Sequence, residues 1–375
     1  MLQRIAEAWK VTLPAIFLSA LIELLNGAIL GAHFEVFVYH YPVLLVALPG
    51  LMGLRGNVFG ALASRFTTAL YLSEMKPSIL DRFVFEGITL SMVVTLTPVF
   101  VLWAAGCAKV GELAITALLI LLTSSILMNL ILGFSTAAAT VLPFRRNVDP
   151  DSVAPPIVTS LADLVTIPVL VAFVILAEVS TKALDTFAIL MLSVLALMLA
   201  KFRVSRRMIA ETFTVVTALA ALSAVSGSIL ESFGEKIYEV LELGVMYPAV
   251  LGTLGNYGSV IGAKTSTKLH LGEIESFGEF GKISRDVLGA VTTTPLIALV
   301  IMTSAMLAVK VIGREPTFLT AFIALYPLVA LLSMFLAFFF AIAAHRIGLD
   351  PDNATIPAIT TVVDIIATVF VVSLI

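Results

Sequence analysis

Apolar stretches long enough to cross a bilayer follow one another along the whole chain. Of the 375 residues, 60 % are hydrophobic and 13 % are charged, and the mean hydropathy is +1.09. Soluble domains are about one-quarter charged, whereas a run of about 20 apolar residues spans the ~30 Å hydrocarbon core as a helix. The composition therefore indicates an integral membrane protein and leaves no segment that resembles a soluble domain.

Residues that mark other classes of protein are scarce or scattered. The single cysteine, Cys107, excludes an intrachain disulfide, and the four histidines form no pair at metal-ligand spacing. The basic residues form no contiguous stripe, so we expect no nucleic-acid partner. An intramembrane enzyme would show a His/Glu metal motif or a nucleophile with its base, and the sequence has neither. We predict that the protein is not an enzyme.

The hydropathy pattern predicts about 11 spans in an all-α polytopic membrane protein. We place them near 12–32, 39–73, 82–107, 111–143, 153–178, 184–201, 210–231, 236–271, 284–310, 316–345 and 353–374. Segments 39–73 and 236–271 are too long for one straight span and contain Pro and Gly near their middles, so we expect them to be broken or tilted.

Charge placement gives the orientation. With the N-terminus in the cytoplasm, 14 of the 22 Lys and Arg residues lie in cytoplasmic segments, 5 lie outside and 3 lie within spans. This bias follows the positive-inside rule. The apolar run after Arg4 and Lys10 has full spanning length and no clear cleavage site, so we interpret it as the first helix. We predict a multi-pass cell-membrane protein with a cytoplasmic N-terminus and an extracellular C-terminus.

Two motifs occur twice in the chain. The segment NVDPDSVAPPIVTSLADLVT carries Asp163 in an apolar helix, and GLDPDNATIPAITTVVDIIA carries Asp364 at an offset of 201. The segment 48–74 aligns with 247–273 at a constant offset of 199, which pairs Gly56-Asn57 with Gly255-Asn256. The order of the two motifs is the same in both copies. The sequence therefore contains an internal repeat.

Each repeat contributes five helices, and an odd number leaves the chain on the far side of the membrane. The additional apolar stretch 184–201 returns it, so both halves insert in the same orientation. We predict two parallel five-helix repeats, 1–180 and 205–375, joined by a linker transmembrane helix within 181–204 and related by a pseudo-twofold axis along the membrane normal. The two repeats form a pseudo-dimer, so we expect a functional monomer.

Each aspartate lies on a polar helix face. A charged residue near the centre of a membrane helix costs roughly 2.5–3.5 kcal/mol on insertion scales, so a function or a compensating partner is expected. The polar residues around the two aspartates share their helix faces, and they are Thr159, Ser160 and Thr166 in the first copy and Thr360, Thr361 and Thr368 in the second. Carboxylates, hydroxyls and amides without thiol or imidazole suit hard cations such as Mg²⁺, Ca²⁺ or Mn²⁺.

Structural roles compete with this interpretation. The aspartates could pair with Arg65 and Lys264 to hold helices together, or these cations could gate the path. Gly56 and Gly255 allow close helix contact or local unwinding. Asn57 and Asn256 either face the ion path or form interhelical hydrogen bonds. Glu23 has no acidic counterpart in the second repeat, so it is an asymmetric feature of the ion path, a coupling site or an interior hydrogen-bond partner.

These strings resemble the solute carrier family 41 magnesium transporters, and each motif is similar to its single copy in the bacterial MgtE magnesium channels. The resemblance covers most of the chain. It implies a cation path at the repeat interface, with metal ligands at Asp163 and Asp364, the Gly-Asn segments beside them, and backbone carbonyls at Thr159 and Thr360. Only about ten residues precede the first predicted helix, so we expect no equivalent of the MgtE cytoplasmic sensor. Arg55 and Leu254 precede the two Gly-Asn pairs, so the halves differ chemically there.

We therefore predict transport of partly hydrated Mg²⁺, with Mn²⁺, Co²⁺ or Ca²⁺ as further candidate ions, through a pore at the repeat interface. The paired aspartates bind the ion. The alternative is a Na⁺- or H⁺-coupled divalent cation exchanger of the same fold, with Glu23 or an aspartate as the coupling group. The expected partners are the cation and the lipid bilayer.

Overall fold

The computed structural model describes residues 5–6, 8–148, 150–202, 206–348 and 351–375, and within them the chain is helical without a strand. Side chains are not described at 11, 151–153, 155–156, 206–215 and 351–357. The α-helices are α1 (Leu13–Ala32), α2 (Phe34–Tyr39), α3 (Pro42–Tyr71), α4 (Arg82–Val110), α5 (Ile115–Arg145), α6 (Pro150–Val179), α7 (Thr181–Lys201), α8 (Arg206–Ser232), α9 (Gly234–Glu239), α10 (Leu241–His270), α11 (Ser284–Val291), α12 (Thr294–Ile312), α13 (Thr320–Arg346) and α14 (Pro351–Val372).

Helices long and apolar enough to cross a membrane occur eight times in the described residues. They are α1, α3, α4, α5, residues Ile157–Val179 of α6, α7, the segment Ser284–Ile312 and α13. Val216–Ser232 and Ala358–Val372 are shorter apolar helices. The all-helical membrane class is therefore supported, while the count of 11 spans and the parallel repeat layout stay predictions.

Both segments that the sequence marked as too long are interrupted, but before their glycines. Helix α2 ends at Tyr39 and α3 begins at Pro42, and α9 ends at Glu239 before α10 begins at Leu241. Pro42 fits the first turn of α3 because its missing N–H would have no partner there. From these starts, α3 and α10 run for 30 residues each through Pro49 and Pro248. The Gly-Asn pairs therefore lie in continuous helix, and the local unwinding that we considered is not present.

The chain divides into two compact units. The terminal unit comprises Met1–Glu35 and Ser232–Ile375, and the middle unit comprises Val36–Glu231. Helix α1, which opens the first sequence repeat, thus belongs to the unit that holds the Gly-Asn and Asp helices of the second repeat. Helix α8, which opens the second repeat, belongs to the unit of the first. The sequence-repeat boundaries at 180 and 205 stay predictions, because they describe similarity rather than compactness.

Glycines at equivalent repeat positions allow α1 and α8 to pack closely against the long helix of their own unit. A Cβ at Gly27 of α1 would collide with the carbonyl oxygen of Val245 on α10, inside the terminal unit. A Cβ at Gly227 of α8 would collide with the carbonyl oxygen of Val46 on α3, inside the middle unit. Small residues let membrane helices approach closely, and van der Waals contact is a main source of their association. Each unit thus contains the same close helix crossing.

Candidate functional site

Asp163 lies part-exposed on α6, in the middle unit. One turn earlier, Thr159 is exposed and Ser160 is part-exposed, so this stretch of the predicted polar face is accessible. One turn later, Thr166 is fully buried and its hydroxyl donates to the Ala162 carbonyl over 2.6 Å. The predicted polar face is therefore accessible from Thr159 to Asp163 and buried at Thr166. Pro156, which shares this face in the sequence, lies outside the described side chains.

Asp364 occupies the same kind of position on α14, in the terminal unit. Asp364 and Thr360 are part-exposed, whereas Thr361 is only 4 % exposed and Thr368 is fully buried. The Thr368 hydroxyl donates to the Asp364 carbonyl over 2.7 Å and lies 2.9 Å from the Tyr247 hydroxyl. The aspartate and the threonine one turn before it thus remain accessible in both units, and the later threonines serve helix packing.

The Gly-Asn helix of each unit carries an accessible stripe of small and polar residues. Neighbouring positions of both helices, such as Arg55 and Leu254, are buried. Five of the accessible positions on each helix follow spacings of 4, 3, 4 and 4 and so lie on one helix face. They are Gly53, Asn57, Gly60, Ser64 and Thr68 on α3, and Gly252, Asn256, Ser259, Ala263 and Thr267 on α10. All five positions correspond at the repeat offset of 199. The same face is thus accessible in two separately packed units.

The two motifs approach each other within each unit. Helix α6 packs along α3 in the middle unit, and α14 packs along α10 in the terminal unit. A Cβ at Gly255 would lie 3.7 Å from Cγ2 of Thr360, so the glycine motif contacts the turn before Asp364. A Cβ at Gly56 or Gly60 would meet nothing within 4 Å, so space is open beside the first motif.

Helix α1 adds three polar side chains, Ser19, Glu23 and Asn26, to the terminal unit. Asn256 donates from Nδ2 to the Ser19 hydroxyl over 2.8 Å. Glu23, one turn further along α1, is 2 % exposed, and its Oε1 lies 3.1 Å from the position of a Cβ at Gly252. Asn26 also approaches the Glu23 carboxylate, at 3.5 Å. Because the sequence does not say which long helix α1 contacts, this neighbourhood of Glu23 could not be predicted.

Lys264, one of the two basic residues considered as structural partners, pairs with a carboxylate outside the two Asp motifs. Lys264 Nζ lies 3.2 Å from Oδ1 of Asp286, and Lys268 Nζ lies 3.4 Å from Oδ2 of the same carboxylate. Asp286, at the start of α11, is therefore an ion-pair partner of Lys264. Arg65 lines a small cavity between α3 and α4 together with Gly87 and Ser91. A pairing of Arg65 with Asp163 stays a prediction.

Within the described residues, no three acidic, histidine or cysteine side chains converge on one point. A divalent ion beside either aspartate would therefore be held by fewer than three carboxylates, with amide, hydroxyl or carbonyl oxygens and retained water completing its shell. Mg²⁺ is commonly bound in this way, because it sheds water reluctantly. The donor set of each unit fits a hydrated hard cation as a transported substrate.

These features define a multi-pass membrane protein of the transporter class. The family described as "MgtE: Divalent cation transporter" matches residues 48–173 and 247–374, which together make up more than half of the chain. The chain belongs to this family of divalent cation transporters. This membership confirms the resemblance and is consistent with the prediction that the protein is not an enzyme.

Curated relatives extend the similarity across the chain. Solute carrier family 41 member 2 of Xenopus laevis is 24 % identical over 380 residues, which cover 90 % of this chain and 65 % of that protein. The alignment with solute carrier family 41 member 3 of Rattus norvegicus spans 403 residues at 26 % identity, and it covers 96 % of this chain and 84 % of that protein. The chain thus spans slightly less than two thirds of the Xenopus laevis protein. No solved structure matches the chain.

Proposed function

We propose that this protein transports Mg²⁺ across a membrane as a partly hydrated ion. The observation that carries the proposal is the matching accessible stripe on α3 and α10, each with an asparagine at its second position and an aspartate helix packed beside it. A matching face of small and polar residues on equivalent helices of two units is expected of an ion path, because lipid-facing surfaces are apolar.

The proposed ligands are Asp163 and Asp364, with Asn57, Asn256, Thr159 and Thr360 around the ion's water shell. Each half contributes one aspartate, one asparagine and one threonine to this set. A site in which the ion keeps part of its water shell binds the ion weakly enough for it to leave, which conduction requires. We further propose a monomer in the cell membrane, with a cytoplasmic N-terminus and an extracellular C-terminus.

Flux into proteoliposomes tests the assignment. The purified protein is assayed with Mg²⁺, Ca²⁺, Mn²⁺ and Co²⁺, and then as Asp163→Asn, Asp364→Asn and the double variant. We expect each single substitution to weaken Mg²⁺ uptake and the double substitution to abolish it. Asp185→Asn is the matched control, because Asp185 is an exposed carboxylate on α7 outside the proposed path. Normal flux in the double variant would refute the site.

A coupled exchanger is the second candidate, and the buried Glu23 favours it. This carboxylate lies against Gly252, one turn from Asn256, so its protonation or Na⁺ binding would change the charge beside the second motif. Mg²⁺ movement driven by an imposed Na⁺ or pH gradient, with equal Mg²⁺ on both sides, would identify an exchanger. Glu23→Gln should remove that coupling and leave any downhill flux in place.

A further inference from the structure

Arg55 is a fully buried cation in the wall of the middle unit. It lies on α3 directly before Gly56-Asn57, with 0 % of its surface exposed. Its guanidinium donates to the Ser125 hydroxyl over 2.7 Å and to Oδ1 of Asn129 over 3.3 Å, both on α5. Asn129 in turn donates to the Thr95 hydroxyl of α4 over 2.8 Å. The arginine thus cross-links three helices through neutral groups.

The charge of Arg55 is not neutralised by these contacts. Its recorded side-chain partners are a hydroxyl and an amide, and its buried Nε makes no hydrogen bond. In the part of the chain that the structure describes, no carboxylate lies at ion-pairing distance from it. Buried charges are ordinarily paired because desolvation is costly. Since mobile ions screen exposed charges but reach buried ones poorly, the field of Arg55 extends through the surrounding helices.

The terminal unit carries no charged side chain at the corresponding sequence positions. Leu254 stands at the repeat position of Arg55, and Tyr326 and Ala330 stand at those of Ser125 and Asn129, at the offset of 201 that relates the two aspartates. The Tyr326 hydroxyl donates to the Thr253 hydroxyl over 2.6 Å, and the Leu254 carbonyl accepts from Ser333 over 2.8 Å. The terminal unit thus has a leucine at the position of the arginine, and the tyrosine at the position of Ser125 bonds to the adjacent Thr253.

We propose that Arg55 is an affinity-determining residue that weakens divalent cation binding beside Asn57 and so speeds ion release. This inference rests on the proposed function. Asn57 follows Arg55 by two residues on a helix about 10 Å across, so an ion on the accessible face lies within roughly 15 Å of the guanidinium. The repulsion is twice as large for a divalent ion as for a monovalent one. Cation binding beside Asn57 is therefore weaker than binding beside Asn256.

Two substitutions separate charge from hydrogen bonding. Arg55→Gln keeps hydrogen-bond donors and removes the charge, whereas Arg55→Lys keeps the charge. We expect Arg55→Gln to lower the half-saturating Mg²⁺ concentration about tenfold and to lower the maximal rate of uptake, with Arg55→Lys close to the parent protein. A purely structural arginine would give the reverse order, with Arg55→Gln tolerated and the less well-bonded lysine impaired. That order overturns the proposal.

A reciprocal exchange keeps the test informative if a single variant folds poorly. Arg55→Leu/Ser125→Tyr/Asn129→Ala gives the middle unit the residues of the terminal unit at these three positions, and Leu254→Arg/Tyr326→Ser/Ala330→Asn does the opposite. The first triple variant should bind Mg²⁺ more tightly and the second more weakly, in equilibrium binding with folded protein. Unchanged affinity in both overturns the proposal.

A chloride-free measurement examines whether an anion neutralises the arginine. Replacing chloride by gluconate should leave Mg²⁺ binding unchanged in the parent protein and in Arg55→Gln. A chloride dependence that is present in the parent and lost in Arg55→Gln would show that a bound anion cancels the charge, and would overturn the repulsion. This inference can fail while the proposed ion site stands. If the Asp163/Asp364 double variant loses flux but Arg55→Gln binds Mg²⁺ with unaltered affinity, only the role of Arg55 is refuted.

Discussion

The Asn256 side chain donates a hydrogen bond to the hydroxyl of Ser19 across 2.8 Å. The bond joins the second Gly-Asn motif to α1, a helix 237 residues away in sequence. Because the amide nitrogen is held by α1, the amide oxygen of Asn256 has a fixed orientation. In the proposed path, we assign this preorganised oxygen to the water shell of the ion.

Removing this bond should weaken cation binding. We expect Ser19→Ala to raise the half-saturating Mg²⁺ concentration about fivefold, since a hydrogen bond contributes a net ~1 kcal/mol. Uptake into proteoliposomes measures the change. Ser193→Ala is the control, because Ser193 is exposed on α7 and its hydroxyl bonds to the Ile189 carbonyl of its own helix. An equal effect of both substitutions would contradict the prediction.

The exposed Thr159 and the buried Thr166 should respond differently to substitution. Thr159→Ala removes an exposed hydroxyl one turn before Asp163, and we expect a several-fold loss of Mg²⁺ affinity. Thr166→Val removes a hydroxyl that is buried and bonded to Ala162, so it should leave affinity unchanged and alter stability by about 1 kcal/mol or less. Titrations of uptake against Mg²⁺ compare the two. A larger affinity change in Thr166→Val would place the ion beyond Asp163.

The close helix contacts at Gly27 and Gly227 should not tolerate a side chain. A methyl group at Gly27 or Gly227 meets a backbone carbonyl rather than a mobile side chain, and overpacking of this kind costs about 1–3 kcal/mol or more. We expect Gly27→Ala and Gly227→Ala to lower the thermal unfolding midpoint in detergent by similar amounts. Gly60→Ala provides the contrast, because its Cβ meets nothing within 4 Å and alanine favours helix. A midpoint that falls equally in Gly60→Ala would argue against the packing explanation.

Tyr41 should make the protein sensitive to alkaline pH. Burial, then a hydrogen bond and the charge of Glu178, raise the pKa of Tyr41 from 10.0 to about 12. The folded protein therefore holds this proton at a pH where the unfolded chain releases it, so stability falls as pH rises from about 10 to about 12. Tyr41→Phe should reduce that fall in unfolding midpoints measured across this range. Tyr39→Phe, at an exposed position, should retain it.

The elements that the sequence predicted best are those whose signal is local. The helix that carries Asp163 was expected over 153–178 and extends over Pro150–Val179, and the partner carrying Asp364 was expected over 353–374 and extends over Pro351–Val372. Apolar length and the flanking Asp-Pro segments determine such helices by themselves. The accessible Gly-Asn faces likewise follow from helical spacing once the helix is known to be continuous.

Partners across long separations could not be predicted in the same way. Helix α1 is apolar on most of its surface, so its sequence does not specify whether Gly27 contacts Val46 or Val245. The placement of Glu23 beside Gly252 depends on that choice. Thr166 and Thr368 share a face with the aspartates, but a threonine can satisfy its hydroxyl on its own helix. Spacing alone therefore could not show that these hydroxyls are sealed.

Because α1 belongs to the terminal unit, its native contacts can form only late in biosynthesis. Helix α1 leaves the ribosome first, yet its hydrogen-bonded partner Asn256 is 237 residues further along. At about 5–20 residues per second this gap corresponds to roughly 10–50 s. For that interval α1 resides in the bilayer without its native neighbour, and the terminal unit closes only when almost the entire polypeptide has been made. Translation halted before α10 would therefore leave Glu23 uncovered at membrane depth.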